Sequence, residues 1–512
     1  MKKIELFNPA LLTLASCAIL PSSMDGSKLE QERPNIVFIL ADDMGYGDVS
    51  CYNPQSKIPT PNMDRLAAQG IRFMNAHSPA ALSTPTRYGI LTGRYCWRTR
   101  LKEGVILGYD EAPLIETGRP TIGSVLKGDG YHTAYIGKWH LGMTWQTRDG
   151  YVVQDDKNEW KVNPVVYQEN EQHIDFEKPV TGGPVELGFD YFFGTLGCST
   201  SDPPYCYIEQ NRTVGIPSVK SPDDFLKLPG FAPGLMVPGF SLTGVDPDFT
   251  DKAIGFIKGH RDNQPGNPFF LYLALSSPHN PFLPPEFAKG KSTEGPRGDL
   301  VTVVDWSVGQ VLEILKQYGL DKNTLVIVTS DNGAMKGANG HKSNGDYRGY
   351  KANIWDGGHR IPFIARWPGK ILPGSTSSET ISLTDMFATL TGLVSAKVTD
   401  GSGEDSFDVL PAFFGKRQEN SDSRVRIFHS GGGFFAVQKG QWKLIEGTKG
   451  AGSGKRAPDE GPAMKTGQLY NVAADPFETV DLWEKEPGVV NELMSLLEAC
   501  KSESATNKIN KN

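Results

Sequence analysis

Asn35-Ile-Val-Phe-Ile-Leu40 carries no polar side chain after its first residue, and then runs into Ala41-Asp42-Asp43. A strand with one wet face alternates apolar and polar residues, whereas a strand covered on both faces reads as a continuous apolar run. This stretch therefore predicts a central strand of a parallel sheet with helices on either side. Three further runs behave the same way. Thr133-Ala-Tyr-Ile136 leads into Gly137-Lys138-Trp139-His140, Phe269–Leu275 into Ser276-Ser277-Pro278-His279, and Leu325–Thr329 into Ser330-Asp331-Asn332-Gly333. Helical segments lie between them, such as 61–70, where Pro61 suits a first turn and Gly70 a C-terminal cap. The alternation predicts an α/β fold with a large mixed, mainly parallel sheet flanked by helices. Ligands of such sheets bind beyond the carboxyl ends of the strands. One polar strand end is an ordinary exit to solvent, but four ends bearing Asp-Asp, Lys/His, His and Asp-Asn indicate one shared site.

Composition limits the function classes. The chain has 512 residues, is 38% hydrophobic and 10% aromatic, which suffices for a large core and excludes a disordered chain. A formal net charge of −7 argues against bulk binding of nucleic acid. The 57 Gly and 36 Pro predict many loops, where sites are carried. Met1-Lys2-Lys3 precedes a mostly apolar stretch to Leu20, too short for a confident membrane span and suited to a signal peptide. Within it Leu14-Ala-Ser-Cys17 resembles a lipobox, so Cys17 is read either as a lipid-anchor site or as part of an ordinary cleaved signal. Residues 21–32 read as a linker. The expected location is outside the cytoplasm, periplasmic or lipid-anchored to the outer membrane, with no transmembrane span. Cysteines stand at 17, 51, 96, 198, 206 and 500 without a Cys-x-x-Cys pair. A 198–206 disulfide stays open beside the simpler reading of free buried thiols.

Ser83-Thr-Pro-Thr-Arg87 opens another helix, with Ser83 placed to cap it and Pro85 in its first turn. Taken singly, Ser83 is as good an N-cap as a functional group. Asp42-Asp43 also fits a solvated turn, Lys138 and Lys351 fit surface lysines, and His140 and His279 fit loop histidines. The domain reading is a large domain over 33–417 and a small one over 418–505. Strand candidates Arg424–His429, Phe434–Val437 and Trp442–Ile445 and a helix Val489–Cys500 predict a small antiparallel sheet covered by that helix. The tail Ser502–Asn512 is expected to be disordered. Loop-rich insertions, Gln146–Pro184 and Asn211–Asp246, are the expected walls of a substrate pocket.

Together these motifs resemble the formylglycine-dependent sulfatase family, within the alkaline-phosphatase-like superfamily, over about Pro34 to Leu482. Ser83-Thr-Pro-Thr-Arg87 matches the Cys/Ser-x-Pro-x-Arg signature in its bacterial serine form. Leu40–Asp48, Gly137–Gly142, Ser276–His279, Asp331–Gly333, Arg348–Lys351 with Asp356–Arg360, and late segments around Gln441–Leu444, Gln468–Asn471 and Asp475–Glu478 match as well. The resemblance implies that Ser83 is oxidised to 3-oxoalanine (formylglycine) by a radical-type maturing enzyme. It implies that Asp42, Asp43, Asp331, Asn332 and the modified Ser83 bind a divalent cation. It further implies that Arg87 holds the modified side chain, Lys138 and Lys351 bind sulfate oxygens, His140 acts at the formylglycine hydroxyl and His279 faces the leaving oxygen. Oxygen-only donors favour Ca²⁺ or Mg²⁺ over Zn²⁺, and the resemblance implies Ca²⁺, with Mg²⁺ as the alternative. The chemistry needs these groups. Converging charges neutralise sulfate oxygens, and a hydrated aldehyde offers the second hydroxyl that lets sulfate be eliminated, which serine lacks. The implied substrate is a sulfated sugar of glycosaminoglycans or mucin-type glycans, with a 6-O-sulfated galactose or N-acetylgalactosamine as the specific expectation. Asp202, His341 and His429 are the residues expected to contact the sugar. Three alternatives stay open: a phosphodiesterase or phosphonate monoester hydrolase of the same superfamily, a non-catalytic sulfoglycan-binding protein if Ser83 is not oxidised, and a lectin-like structural protein.

Overall fold

A ten-stranded sheet runs through the molecule in the order β10-β2-β9-β8-β1-β7-β3-β4-β5-β6. Its strands are Asn35–Ala41 (β1), Ile71–Phe73 (β2), His132–Lys138 (β3), Tyr191–Thr195 (β4), Ile208–Glu209 (β5), Arg212–Thr213 (β6), Phe269–Ala274 (β7), Thr324–Ser330 (β8), Phe363–Arg366 (β9) and Ser375–Ser377 (β10). The five central strands, β8-β1-β7-β3-β4, are all parallel, and β9 joins β8 antiparallel. The computed structural model describes Met1 and residues 33–109, 112–154, 164–418, 420–447 and 467–509. The expected leader and linker, with Cys17, lie outside the described residues apart from Met1.

Alternate side chains of β1 point into two separate cores, as the two-sided apolar run requires. Ile36, Phe38 and Leu40 join the core beneath helices Ser83–Thr92 (α2) and Ile122–Gly128 (α3). Val37, Ile39 and Ala41 join the core beneath Pro61–Ala68 (α1), Val245–Asn263 (α4) and Pro296–Gln317 (α5). Each of the five larger side chains, Ile36 to Leu40, contributes roughly 1.5–3 kcal/mol by burial. The helix at 61–68 starts at Pro61 as expected, but Gln69 closes it, with φ −99. Gly70 is needed for a different reason than the expected left-handed cap: a Cβ there would lie 2.1 Å from the Ala365 carbonyl oxygen.

The four-stranded antiparallel sheet comprises Val425–His429 (β11), Phe435–Lys439 (β12), Trp442–Ile445 (β13) and Gln468–Asn471 (β14). One face packs Val437, Leu444 and Leu469 with Val490, Leu493 and Leu497 of the helix Pro487–Ser502 (α6). The other packs Phe428, Ala436, Ile445 and Tyr470 against Ile354 and Trp355. The tail differs from expectation over its described part. Thr506–Ile509 is helical, and Thr506 N–H donates to the buried Asp405 carboxylate at 3.0 Å. Asp405 needs such partners, because an unpaired buried carboxylate is costly. The five described cysteines are free, so Cys198 and Cys206 are not bridged. Among the described residues no helix is long and apolar enough to cross a membrane.

Candidate active site

The strand ends singled out in the sequence are neighbours, since β8, β1, β7 and β3 are consecutive in the sheet. Main-chain bonds carry the ladder past the strands and stagger the loops. Asp331 N–H donates to the Ala41 carbonyl and Asp42 N–H to the Ser277 carbonyl, both at 3.0 Å. Asp43 then turns through φ 68. That left-handed turn breaks strand alternation, so both successive carboxylates stay in one cluster.

Ser83 is the first residue of α2, and Leu82 occupies the cap position without a side-chain cap. The expected capping role for Ser83 is therefore not realised. Its hydroxyl donates instead to Asp42 Oδ1 at 3.1 Å. Arg87 sits one turn on, fully buried. It donates through Nε and Nη2 to Asp331 Oδ2 at 3.2 and 2.9 Å and through Nη1 to the Lys138 carbonyl at 2.9 Å. Lys138 Nζ lies 2.5 Å from Asp42 Oδ2, and Lys351 Nζ lies 2.7 Å from Asp43 Oδ2. His279 places Nε2 3.9 Å from Asp43 Oδ2, with Nδ1 2.7 Å from the Asn280 carbonyl. His140 adopts φ 59 and donates its main-chain N–H to Leu196 at 2.8 Å. Thus Asp42, Asp43, Ser83, Arg87, Lys138, His279, Asp331, Asn332 and Lys351 share one network, with His140 two residues past Lys138.

Burial and charge set the protonation of this cluster. Burial opposes ionisation of Asp42, but Lys138, His279, Arg87 and Lys351 outweigh it and hold the carboxyl well below its usual range. Asp331 is pushed up to about 6, first by burial and then by the charge of Asp42. Burial, followed by Lys351, takes His279 down to about 4. Burial, followed by Lys138, takes His140 well below the imidazole range.

The donors fit a hard divalent cation. Asn332 Nδ2 donates to Asp43 Oδ1 at 2.8 Å and to the Gly333 carbonyl at 2.9 Å, which leaves Asn332 Oδ1 buried without a hydrogen-bond partner. A buried acceptor in that state among three carboxylates is what an oxygen-ligated cation would use. The ligand atoms of Asp42, Asp43 and His279 are also close enough together to hold an ion. Among the described residues two other buried groups have that spacing, His77/Asp356/His359 and Asp48/Glu294/His341. Neither has a buried side-chain acceptor of its own left without a hydrogen-bond partner, as Asn332 Oδ1 is in the Ser83 cluster.

The three residues expected to touch a sugar are placed differently. His341 is not brought to the Ser83 cluster. Its Nε2 lies 2.8 Å from Asp48, and Lys57 N–H donates to its Nδ1 at 3.4 Å, so no ring nitrogen is left for a sugar. His429 is buried with its ring 4.7 Å from Phe435, and its main chain pairs with Pro79 and Ala81 just before Ser83. Asp202 is buried, accepts from Tyr167 at 2.9 Å, and is pushed up to about 7 by that burial. Two contributors escaped the sequence reading. Asp246 accepts Ser276 and Ser277 N–H at 2.7 and 2.8 Å and so fixes the turn leading to His279. Cys198 places its sulfur 3.6 Å from His140 Nε2. The Asp246-Pro-Asp248 helix start was a usable signal for the first; nothing local marks the second.

A family model described as Sulfatase matches residues 34–396. The chain is 32% identical to an N-acetylgalactosamine-6-O-sulfatase of Bacteroides thetaiotaomicron, over 96% of this chain and 98% of that protein. It is 32% identical to the steryl-sulfatase of Rattus norvegicus, over 76% of this chain and 71% of that one. A solved 6S-sulf chain, from work on metabolism of multiple glycosaminoglycans by Bacteroides thetaiotaomicron, superposes with TM-score 0.76. It is 31% identical and covers 92% of this chain and 100% of its own. A sulfatase of Pseudoalteromonas sp. shares the fold at TM-score 0.67 and 24% identity, over 91% of this chain and 89% of its own.

Proposed function

The chain belongs to the sulfatase family, a family of sulfuric ester hydrolases, and from that premise we propose that it removes 6-O-sulfate from N-acetylgalactosamine or galactose units of sulfated glycans. The observation that carries the hydrolytic reading is the joint placement of Ser83, Arg87, Lys138, Lys351 and three carboxylates at adjacent parallel strand ends. The sugar and the 6-position rest on likeness to the Bacteroides thetaiotaomicron enzyme along nearly the whole chain.

In this reading Asp42, Asp43, Asp331, Asn332 and residue 83 hold one hard divalent cation, as the all-oxygen donors favour; we take it to be Ca²⁺, with Mg²⁺ as the alternative. Residue 83 is oxidised to formylglycine by a radical-type maturing enzyme. When bound, the cation would supply Lewis-acid polarisation of a sulfate oxygen, and water added across the aldehyde of the oxidised side chain would supply two hydroxyls on one carbon, one of them the nucleophile. The protein's own groups do the rest. Lys138 and Lys351 carry their charges to the sulfate oxygens, and Arg87 orients residue 83 while neutralising Asp331. His279, held through Nδ1 by the Asn280 carbonyl, presents Nε2 to the leaving oxygen as general acid. It is neutral in the free enzyme, and a sulfate anion beside it offsets the repulsion of Lys351 and favours its protonation. His140 takes a proton from the modified residue. Residues 33–417 form the catalytic part and 418–505 a small subdomain that braces the Ser83 and Lys351 segments. An N-terminal signal, with lipidation at Cys17, would place the enzyme where glycans are met outside the cytoplasm.

Matured protein should release sulfate from 6-O-sulfated N-acetylgalactosamine faster than from 4-O- or 2-O-sulfated sugars. A screen in which another position is cleaved preferentially would overturn the substrate reading and leave the family assignment standing.

A further inference from the structure

His140 is clamped by its main chain. Its N–H donates to the Leu196 carbonyl, and its own carbonyl accepts the Thr84 hydroxyl at 2.9 Å, next to Ser83 in the chain. Its ring is buried at 2% exposure, and among the described residues its one hydrogen-bonding neighbour is Cys198 Sγ, 3.6 Å from Nε2. Nδ1 is buried and has no partner among the described residues. Cys198 is itself fixed, because its carbonyl accepts Ser201 N–H at 3.2 Å and Asp202 N–H at 3.0 Å, and the neighbouring Thr195 and Ser199 hydroxyls are 2.7 Å apart.

A neutral imidazole has one N–H and one lone pair. With the proton on Nδ1, a buried N–H would be left without an acceptor, which folded proteins rarely tolerate. A lone pair without a donor is tolerated better. We propose that Cys198 is a positioning residue: its sulfur accepts the Nε2–H of His140, fixes that tautomer, and leaves the Nδ1 lone pair as the proton acceptor in catalysis. This rests on the reading that His140 acts at the modified residue 83. The tautomer is set by the partner of the other ring nitrogen, the usual logic for a working histidine. Cys198 touches neither substrate nor cation in this assignment, so its effect is on turnover.

The test uses the full, matured chain, with formylglycine content and Ca²⁺ affinity measured in every variant. Cys198→Ala should lower kcat on 6-O-sulfated N-acetylgalactosamine about tenfold with KM nearly unchanged. Cys198→Ser, whose hydroxyl accepts the same N–H, should recover to within about threefold of wild type. Nitrogen-15 NMR of histidine-labelled protein should find the His140 proton on Nε2 in wild type and shifted toward Nδ1 in Cys198→Ala. A wild-type His140 protonated on Nδ1, or a Cys198→Ala enzyme with wild-type kcat and tautomer, would overturn the proposal. A His140→Ala enzyme with wild-type turnover would overturn the underlying reading of His140, and this proposal with it.

Discussion

Asn332 Oδ1 is one of the few buried side-chain oxygens without a hydrogen-bond partner among the described residues, and it sits among Asp42, Asp43 and Asp331. Asn332→Ala and Asp331→Asn should each weaken Ca²⁺ by about tenfold or more in calorimetric titration, because ligand number and charge set affinity for this ion. Wild-type affinity in both would contradict the donor assignment. For His279, the informative measurement is leaving-group dependence. His279→Asn should cost roughly a hundredfold on a sugar sulfate and much less on a nitrophenyl sulfate, whose phenolate departs without a proton. Equal losses on both would remove the general-acid role. At this scale the sequence was informative where chemistry-bearing residues followed apolar runs, as with Asp42, Lys138 and Asp331. It was uninformative where a side chain's partners come from distant segments: His341 is claimed by Asp48, 293 residues away, and Cys198 meets His140 across 58.

The elements position the site through close contacts at strand ends. Gly137 lies one residue before Lys138 with φ 119, and a Cβ there would fall 1.8 Å from the Ala274 carbonyl oxygen on β7. Gly137→Ala should therefore cost roughly 3 kcal/mol of stability in denaturant unfolding, by strain and strand displacement together. A loss below about 0.5 kcal/mol would mean that β3 and β7 can separate freely there. The small sheet also reaches the site: β11 ends at His429, whose carbonyl accepts Ala81 N–H at 2.9 Å, and Gly431 N–H donates to Ala352 at 2.9 Å. Segments carrying Ser83 and Lys351 thus share one brace. The central strands and the last long helix were legible because each is a long uniform pattern. The fourth strand of the small sheet, Gln468–Asn471, was not read as a strand, since four residues carry too little periodicity. Ser83 reads as a cap because Ser at a helix start is ordinarily one, whereas its hydroxyl is claimed by the Asp42 carboxylate, 41 residues away at the end of β1.

For the whole molecule, a net charge of −7 coexists with a site that balances three carboxylates against Arg87, Lys138 and Lys351, so a bound dication would leave it positive for a sulfate anion. Buried histidines give the molecule a pH signature. His77, His140, His279, His359 and His429 all lie below the usual imidazole value, with burial as the first cause in each. They stay neutral when folded, and the unfolded chain binds their protons below about pH 6.5, so stability they permit at neutral pH is lost as pH falls toward about 4. Buried carboxyls run the other way, since burial raises Asp202 and Glu478 to about 7 and Asp331 to about 6; a cation would cancel the effect of Asp331 but not of the other two. The ring NMR signals of these five histidines should therefore stay at neutral-imidazole positions from about pH 7 to about pH 5 in the cation-loaded protein; titration of all five near pH ~6.5 would contradict the neutral buried histidines. The central claim is that oxidised Ser83 hydrolyses sugar sulfates, and mass spectrometry of the Ser83 peptide paired with sulfate release tests it most directly. The prediction is that release from 6-O-sulfated N-acetylgalactosamine rises in proportion to the fraction of residue 83 that has lost two hydrogens, and is nearly absent in Ser83→Ala. Full activity from protein whose Ser83 is unmodified would contradict it.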